Sequence, residues 1–200
     1  MSVITISRQM GSLGCDVAEA IARCLNYRVV WREVINEAAS RAGAPEMALA
    51  QIDELDLLGL RPSHDERKAY QQAVREIMHE LVREGNVVIV GRAGQMILRD
   101  VENVMHVKIY APFGLRVARV AEKHNLPLDA ARTQVEKSDQ SRARYLQRYY
   151  KARWDSPELY DLMINTAHLS VESAALVVCQ SLARGDIPQP IQPVTPTLDD

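Results

Sequence analysis

The sequence predicts an α/β domain with a parallel sheet. Five short apolar segments with the composition of strands alternate, for the most part, with segments of helical spacing. The segment 87–90 consists of four apolar β-forming residues in a row, which is typical of a strand buried on both faces of a parallel sheet. The 200 residues are 47% hydrophobic and 25% charged, as in a globular domain. The predicted strands are 3–6, 27–31, 87–90, 104–110 and 162–164.

Apolar faces and end signals predict the helices. Apolar residues recur at helical spacing across 18–25, directly after the first strand. Ser63 and Glu66 form a capping-box pattern that begins a helix, and Gly85 ends it. Ser170 caps the last helix. Further helices are predicted at 31–41, 96–98, 115–123 and 128–144, with a helical turn capped by Ser156 and a short helical insertion within 46–62.

Net charge and cysteine spacing exclude several classes of protein. The formal net charge is −2, so no overall positive field recruits nucleic acid or a membrane surface. Cys15, Cys24 and Cys179 show no C-x-x-C spacing, which indicates neither a zinc site nor a disulfide framework and favours a reducing cytoplasm. No signal peptide and no apolar run of membrane length is recognisable.

A glycine-bearing loop joins the first strand to the first helix. Gly11 and Gly14 permit a backbone path that side chains would block. Such a loop directs backbone amides and the positive end of a helix at one point, which suits a phosphate. The full phosphate-loop motif, GxxxxGK[ST], is absent, because no lysine follows the second glycine. Two interpretations remain at this stage: a phosphate site, or a turn that only packs strand against helix.

Polar groups meet at the expected carboxyl edge of the sheet. The glycine loop, Arg92 and Asn165-Thr166 each follow a predicted strand. Ligands of parallel α/β sheets bind at this edge. This convergence favours the phosphate interpretation of the loop.

The segment 137–153 concentrates positive charge between aromatic residues. Three uses fit such a segment: a small anionic ligand, a solvated helix face, or nucleic-acid stacking. Because the rest of the chain is slightly acidic, a small anion is favoured over a long polyanion. Mutual repulsion and few aliphatic anchors also predict a lid that closes on binding. The basic residues are Lys137, Arg142, Arg144, Arg148, Lys151 and Arg153.

In order and spacing, the chain resembles the cytidylate kinase-like family of P-loop nucleoside monophosphate kinases across about residues 2–184. The resemblance implies a three-layer P-loop NTPase fold with a mainly parallel five-stranded sheet, in a single domain over 1–184. It also implies a helical NMP-binding insertion near 36–85 and a lid near 120–155. Separately, the prolines at 188, 190, 193 and 196 predict a disordered tail over 185–200. The implied reaction transfers the γ-phosphoryl group of ATP to CMP or dCMP with Mg²⁺. The matching segments are 4–14, 88–92, 107–119, 136–144 and 164–172.

The resemblance also implies roles for individual residues. Arginine forks suit phosphate oxygens, and five of the seven contacts expected outside the loop are arginines. The loop residues expected at ATP are Arg8, Gly11, Ser12, Leu13, Gly14, Cys15 and Asp16, with Asp16 also at Mg²⁺. Arg41, Arg92, Lys137 and Asp139 are expected at the acceptor, and Arg119, Arg142 and Arg144 at the transferring phosphoryl group. Surface ion pairs are expected for Arg116, Arg148 and Arg153.

Two departures from the family pattern define the functional hypotheses. Gly14 occupies the place of the loop lysine and Asp16 that of the Mg²⁺-binding Ser/Thr. Arg8, the cation of the loop, is hypothesised to supply the missing charge. The first hypothesis is an ATP-dependent nucleoside monophosphate kinase for CMP or dCMP. The second is a nucleotide-binding regulatory or partner protein without efficient transfer, and a third is a kinase for another small phosphate acceptor.

Overall fold

The computed structural model describes residues 2–41, 43 and 63–183. Its five strands form one sheet in the order β2-β3-β1-β4-β5, and every neighbouring pair is parallel. All five predicted strands are confirmed, and so is the α/β fold class. The strands are β1 (Val3–Arg8), β2 (Arg28–Val30), β3 (Val87–Val90), β4 (Val104–Tyr110) and β5 (Leu162–Asn165).

Seven α-helices connect or flank these strands in the described part of the chain. The capping box at Ser63 and the cap at Ser170 are both present. The predicted helical turn after Ser156 is confirmed as a 3-10 turn with Ser156 at its N-cap position, but the Ser156 side chain makes no capping bond, so that part of the prediction is wrong. The helices are α1 (Gly14–Leu25), α2 (Arg32–Arg41), α3 (His64–Glu84), α4 (Gly94–Ile97), α5 (Phe113–His124), α6 (Leu128–Tyr150) and α7 (Val171–Ala183).

Helix α6 is longer than the sequence predicts, by about one and a half turns. The predicted end at Arg144 carries no stop signal, since neither glycine nor proline follows closely. The helix ends where Lys151 adopts a left-handed conformation with φ 55°. The basic segment is therefore mostly one continuous helix.

The sheet is covered on both faces, which makes three layers. Alternate residues of a strand face opposite sides. Val3 accordingly packs with α2, α3 and α4, while Ile4 and Ile6 pack with α1 and α7. Two smaller apolar clusters hold α6: Ala131 and Val135 pack with α5, and Leu146 packs near Trp154.

The central strand β1 determines where the glycine loop lies. Because β1 pairs with both β3 and β4, the loop after β1 emerges between their carboxyl ends. The proposed division into core, insertion and lid stays a prediction, and the expected helical insertion within 46–62 and the tail 185–200 lie outside the described residues. No helix in the described ranges is long and apolar enough to cross a membrane.

Removing the cap of α3 offers a simple test of the helix assignment. The Ser63 hydroxyl accepts from the Glu66 amide at 3.2 Å, and the Glu66 carboxylate accepts from the Ser63 amide at 2.8 Å. We expect Ser63→Ala to lower the free energy of unfolding by about 1 kcal/mol, measured by urea titration. Ser181→Ala, which removes only an exposed hydroxyl that donates to the Val177 carbonyl oxygen within α7, is the control and should change it by less than about 0.5 kcal/mol. Equal effects of both variants would contradict the capping role.

Candidate active site

The backbone of the glycine loop lies close to α5, and this close contact determines the shape of the loop. Gly11 has φ +78°, and a Cβ there would lie 2.5 Å from the Arg116 carbonyl oxygen. Only glycine fits this position, because both the conformation and the space exclude a side chain. Leu13, also left-handed at φ 60°, then leads into α1.

The carbonyl groups of the glycine loop point toward the protein, where side chains donate hydrogen bonds to them. Four consecutive carbonyl oxygens, from Gln9 to Ser12, accept hydrogen bonds from this chain. In a trans peptide the N–H points opposite to the C=O, so the amides that follow these carbonyls point away from the donors. The bonds are Ser12 Oγ to Gln9 O (2.8 Å), Arg116 Nη1 to Met10 O (3.2 Å), Arg119 Nη1 to Gly11 O (3.5 Å) and Thr166 Oγ1 to Ser12 O (2.9 Å).

The loop's one hydroxyl does not occupy the space that the loop encloses. Ser12 is fully buried, and its hydroxyl lies within hydrogen-bonding distance of the carbonyl oxygens of Gln9 and Ile109. This leaves an arrangement of amides at the start of a twelve-residue helix. Such an arrangement attracts anions.

Arg8 crosses the carboxyl edge of the sheet between two glycines. A Cβ at Gly14 would lie 2.4 Å from Arg8 Cβ, and one at Gly91 would lie 2.4 Å from Arg8 Nη1. The arginine stem therefore fills the space in which a side chain at position 14 would begin. Its guanidinium reaches the end of β3, where it lines a cavity.

That cavity has a volume of about 700 Å³ and lies between the carboxyl edge of the sheet and α6. It is lined by five cations, and no carboxylate lines it in the described part of the chain. A chain of net charge −2 thus gathers positive charge at one concave surface, which suits an anionic ligand of small size. The cations are Arg8, Arg92, Lys137, Arg142 and Arg144.

Arg92 owes its position to an unusual backbone. Gly91, Arg92 and Ala93 all have positive φ values, of 84°, 58° and 53°. Left-handed conformations cost energy for residues with a Cβ, and they cluster at functional sites. The turn brings Arg92 from the end of β3 to the cavity wall.

A buried polar network underlies the cavity. The Lys108 ammonium, only 3% exposed, donates to the Trp154 carbonyl oxygen at 2.8 Å and lies 4.7 Å from the centre of the Trp154 ring. The Trp154 indole donates to Ser7 Oγ at 2.9 Å, and the Tyr160 hydroxyl donates to the Trp154 carbonyl oxygen at 2.9 Å. Burial lowers the pKa of Lys108 and raises the pKa of Tyr160 to about 12. The network fixes Trp154, which lines the cavity beyond the end of α6.

The Tyr160 pKa predicts a measurable loss of stability at high pH. Between pH 10 and about 12 the unfolded chain ionises this phenol while the folded chain keeps its proton. We therefore expect the stability of the wild type, relative to Tyr160→Phe, to fall as the pH rises through this range. Denaturant titrations of both proteins from pH 8 to 11 measure the difference. A stability gap that does not change with pH would contradict the partly buried phenol that donates to the Trp154 carbonyl oxygen.

The structure brings together only some of the sequence-predicted site residues. Arg8, Arg92, Lys137, Arg142 and Arg144 share the cavity. The glycine loop adjoins it through Met10, and Cys15 and Asp16 follow in the first turn of α1. The roles of all these residues stay predictions.

Three other predicted residues lie apart from the cavity lining. Arg41 pairs with Glu37 on its own helix α2 and with Glu80 on α3, and none of these three side chains lines the cavity. Arg119 donates to Gly11 and Thr166 behind the loop. Asp139 forms a bidentate pair with Arg116, at 3.2 and 2.7 Å. Their predicted contacts with nucleotide stay predictions.

Two further outcomes concern residues expected at the surface. Arg153 forms the expected exposed pair with Asp155. Arg116 is only 3% exposed, so its assignment to the surface is wrong. The sequence does indicate this burial, because helical spacing places Arg116 on the same face of α5 as the buried residues Val117 and Val120. Sequence reasoning did not identify Ser7, Lys108 and Trp154 as site residues. Of these, Lys108 could have been recognised, because a lysine inside an apolar strand is unusual.

The parallel sheet, the helices on both faces and the glycine loop between β1 and α1 together define a P-loop kinase fold. The shikimate kinase of Acinetobacter baumannii, solved with shikimate, superposes with a TM-score of 0.54 at 14% identity, over 94% of this chain and 96% of that one. A protein of Eubacterium ventriosum, described as uncharacterized, gives 0.72 at 21% identity, over 92% of this chain and 99% of that one.

Residues 3–168 match the model of the cytidylate kinase-like family, and the chain belongs to that family. A relative from Pyrobaculum calidifontis, named cytidylate kinase, is 28% identical over 188 residues, which are 91% of this chain and 95% of that one. The protein is therefore a nucleotide kinase, an ATP-dependent phosphotransferase. The resemblance noted in the sequence is confirmed, and a catalytically degenerate protein is not favoured.

Proposed function

We propose that this kinase transfers the γ-phosphoryl group of ATP to a pyrimidine nucleoside monophosphate, with CMP and dCMP as the preferred acceptors. One observation carries the proposal: five cations line a single cavity beside the glycine loop, at the carboxyl edge of the sheet. Relatives named cytidylate kinase supply the choice of acceptor.

The glycine loop is the proposed site of the ATP phosphates. Its carbonyls are engaged by the protein, and the Ser12 amide donates to the Gln9 carbonyl oxygen at 3.3 Å, so the amides of Met10, Gly11 and Leu13 are the ones proposed to bind phosphate oxygens. Arg8 is the proposed cation of this site, because its guanidinium lies at the cavity wall while its stem packs on Gly14. An arginine entering from β1 thus takes over the charge that a loop lysine provides in related kinases.

The remaining cavity cations are the proposed ligands of the acceptor and of the transferring group. Arg92, at the end of β3, faces the acceptor phosphate. Lys137, Arg142 and Arg144 project from α6 and follow it when the helix closes over the nucleotides. Phosphoryl transfer depends on positioning and charge neutralisation more than on covalent chemistry. Arginine and lysine side chains of this kind can provide both.

Asp16 is the proposed ligand for Mg²⁺. Its carboxylate lies in the first turn of α1, partly exposed, and carboxylate oxygens are ligands that Mg²⁺ prefers. Ser12 is unsuited to this role, since its hydroxyl is buried against two carbonyl oxygens. The ion, when bound, neutralises charge on the β- and γ-phosphates.

A coupled assay for ADP formation tests the proposed function. ATP and Mg²⁺ are supplied with CMP, dCMP, UMP or AMP in turn, and binding of each nucleotide is measured by calorimetry. We expect kcat/KM with CMP or dCMP to exceed that with the other acceptors by at least about tenfold, which is the discrimination that small differences in binding contacts usually give. Binding of ATP without turnover for any acceptor would contradict the proposal and return the regulatory hypothesis.

A further inference from the structure

A buried arginine outside the cavity lining, Arg116, connects the glycine loop to helix α6. Arg116 is 3% exposed, and all three of its guanidinium nitrogens donate hydrogen bonds. Its Nε binds the Ala111 carbonyl oxygen at 3.0 Å, and its Nη1 binds the Met10 carbonyl oxygen at 3.2 Å. The same guanidinium meets both carboxylate oxygens of Asp139 on α6.

The backbone of Arg116 also packs against the glycine loop. Its carbonyl oxygen occupies the space beside Gly11 that a Cβ would need, at 2.5 Å. One residue of α5 therefore contacts two consecutive loop residues, one through its side chain and one through its main chain. The shape of the loop depends on where Arg116 lies.

Asp139 determines the orientation of the Arg116 fork. A buried guanidinium requires a counter-charge, and a bidentate carboxylate fixes its plane as well as its charge. The Asp139 side chain is 26% exposed, against 4% for Arg116, so the pair lies at the boundary between α5 and α6. Nearby, Lys137, Ser138 and Gln140 line the cavity, whereas Asp139 does not.

We propose that Asp139 is a positioning residue that acts through Arg116, coupling the seating of α6 to the shape of the phosphate-binding loop. When α6 is seated, Asp139 orients Arg116, and Arg116 holds the Met10 carbonyl out of the space that phosphate oxygens would use. When the pair is broken, that carbonyl is free to turn inward, where it repels an anion. This inference deepens the proposed function, because it assigns Asp139 to the loop and not to the acceptor.

The coupling has a direct consequence for the two substrates. Disturbing the pair weakens the ATP site, which the loop forms, and leaves the acceptor site at Arg92 unchanged. A carboxylate that touches the acceptor would have the opposite effect. The two roles of Asp139 are therefore separated by which KM changes.

The test uses Asp139→Asn in the full-length protein, with hydrogen exchange of the unliganded protein as its first measurement. Asparagine keeps the size of the side chain but removes the charge and one of the two acceptors. We expect exchange of the loop amides within 9–14 to accelerate about tenfold, within the range usual for coupling between sites. Asp155→Asn, which breaks the exposed pair with Arg153, is the matched control and should leave loop exchange unchanged.

Steady-state kinetics provide the second measurement. We expect Asp139→Asn to raise the KM for ATP about tenfold, with an acceptor KM close to that of the wild type. An unchanged loop exchange, or a rise confined to the acceptor KM, would overturn the inference. The exchange measurement needs no turnover, so it decides the coupling even if the proposed reaction is wrong.

Two conservative variants keep the test valid if Asp139→Asn does not fold. Arg116→Lys retains the buried charge but loses the fork that reaches both Met10 and Asp139, so loop exchange should accelerate as well. Asp139→Glu restores the charge, and we expect it to recover part of the loop protection. Loop protection equal to the wild type in Arg116→Lys would overturn the inference.

Discussion

Arg8→Ala is expected to reduce kcat by a factor of about 10²–10³, the usual cost of removing one charge-stabilising donor from a transition state. Arg8 directly precedes the glycine loop, its guanidinium lies beside Gly91, and it lines the cavity. Lysine at position 8 keeps the charge without the fork, so Arg8→Lys should retain intermediate activity. ADP formation at saturating ATP and acceptor measures both variants.

Arg28→Ala is the matched control for this result. Arg28 is also an arginine at the sheet, but it is exposed and paired with Glu84, away from the cavity. We expect its kcat to match the wild type, and the free energy of unfolding of both variants to change by less than about 1 kcal/mol. Activity of Arg8→Ala within twofold of the wild type would remove Arg8 from the site.

Replacing Gly14 by lysine, the residue of related phosphate loops, is expected to damage the protein instead of improving it. The new Cβ would lie 2.4 Å from Arg8 Cβ, close to the backbone of β1, where little movement is possible. Overpacking of this kind costs about 1–3 kcal/mol. For a chain of this size, that corresponds to a loss in Tm of about 2–4 °C per kcal/mol. Thermal unfolding and the ADP assay measure the two effects.

Two further variants test this reason. Gly114→Ala adds a Cβ with no atom within 4 Å, so the Tm should be unchanged or slightly higher. In Arg8→Gly/Gly14→Lys the obstructing stem is gone, and we expect the double variant to be more stable than the sum of the two single effects predicts. Additive effects would contradict the mutual exclusion of the two side chains.

The same pair of residues explains one limit of sequence reasoning. The sequence shows that the phosphate-loop lysine is absent, and it also shows that Arg8 is the cation closest to the glycine loop along the chain. It does not show that Arg8 and a side chain at position 14 compete for one space, because that depends on the distance between the end of β1 and the start of α1. With Arg8 in place, the structure has no room for a lysine side chain at position 14.

The fold was predictable because its signals are local. The strand 87–90 is apolar throughout, and the helix after Ser63 has a cap, an apolar face and a glycine at its end. These patterns determine the elements, and their alternation determines the parallel order. The largest error at the end of an element, at α6, arose where no stop residue marks the end of the helix.

The site was predictable at strand ends and unpredictable between helices. Arg92 follows a strand, so sheet topology places it at the carboxyl edge. Arg116 and Asp139 lie on different helices, 23 residues apart, and their pairing depends on how α5 packs against α6. No periodicity in either helix indicates that pairing, although the buried face of α5 already excludes a solvated Arg116.

A crystal structure with CMP, Mg²⁺ and a non-hydrolysable ATP analogue is the most direct test of the central claim. We predict phosphate oxygens within about 3.2 Å of the amides of Met10, Gly11 and Leu13 and of the Arg8 guanidinium, the range of hydrogen bonds between charged groups. Phosphates bound away from the loop, with Arg8 directed elsewhere, would contradict a phosphate-binding loop whose cation enters from β1.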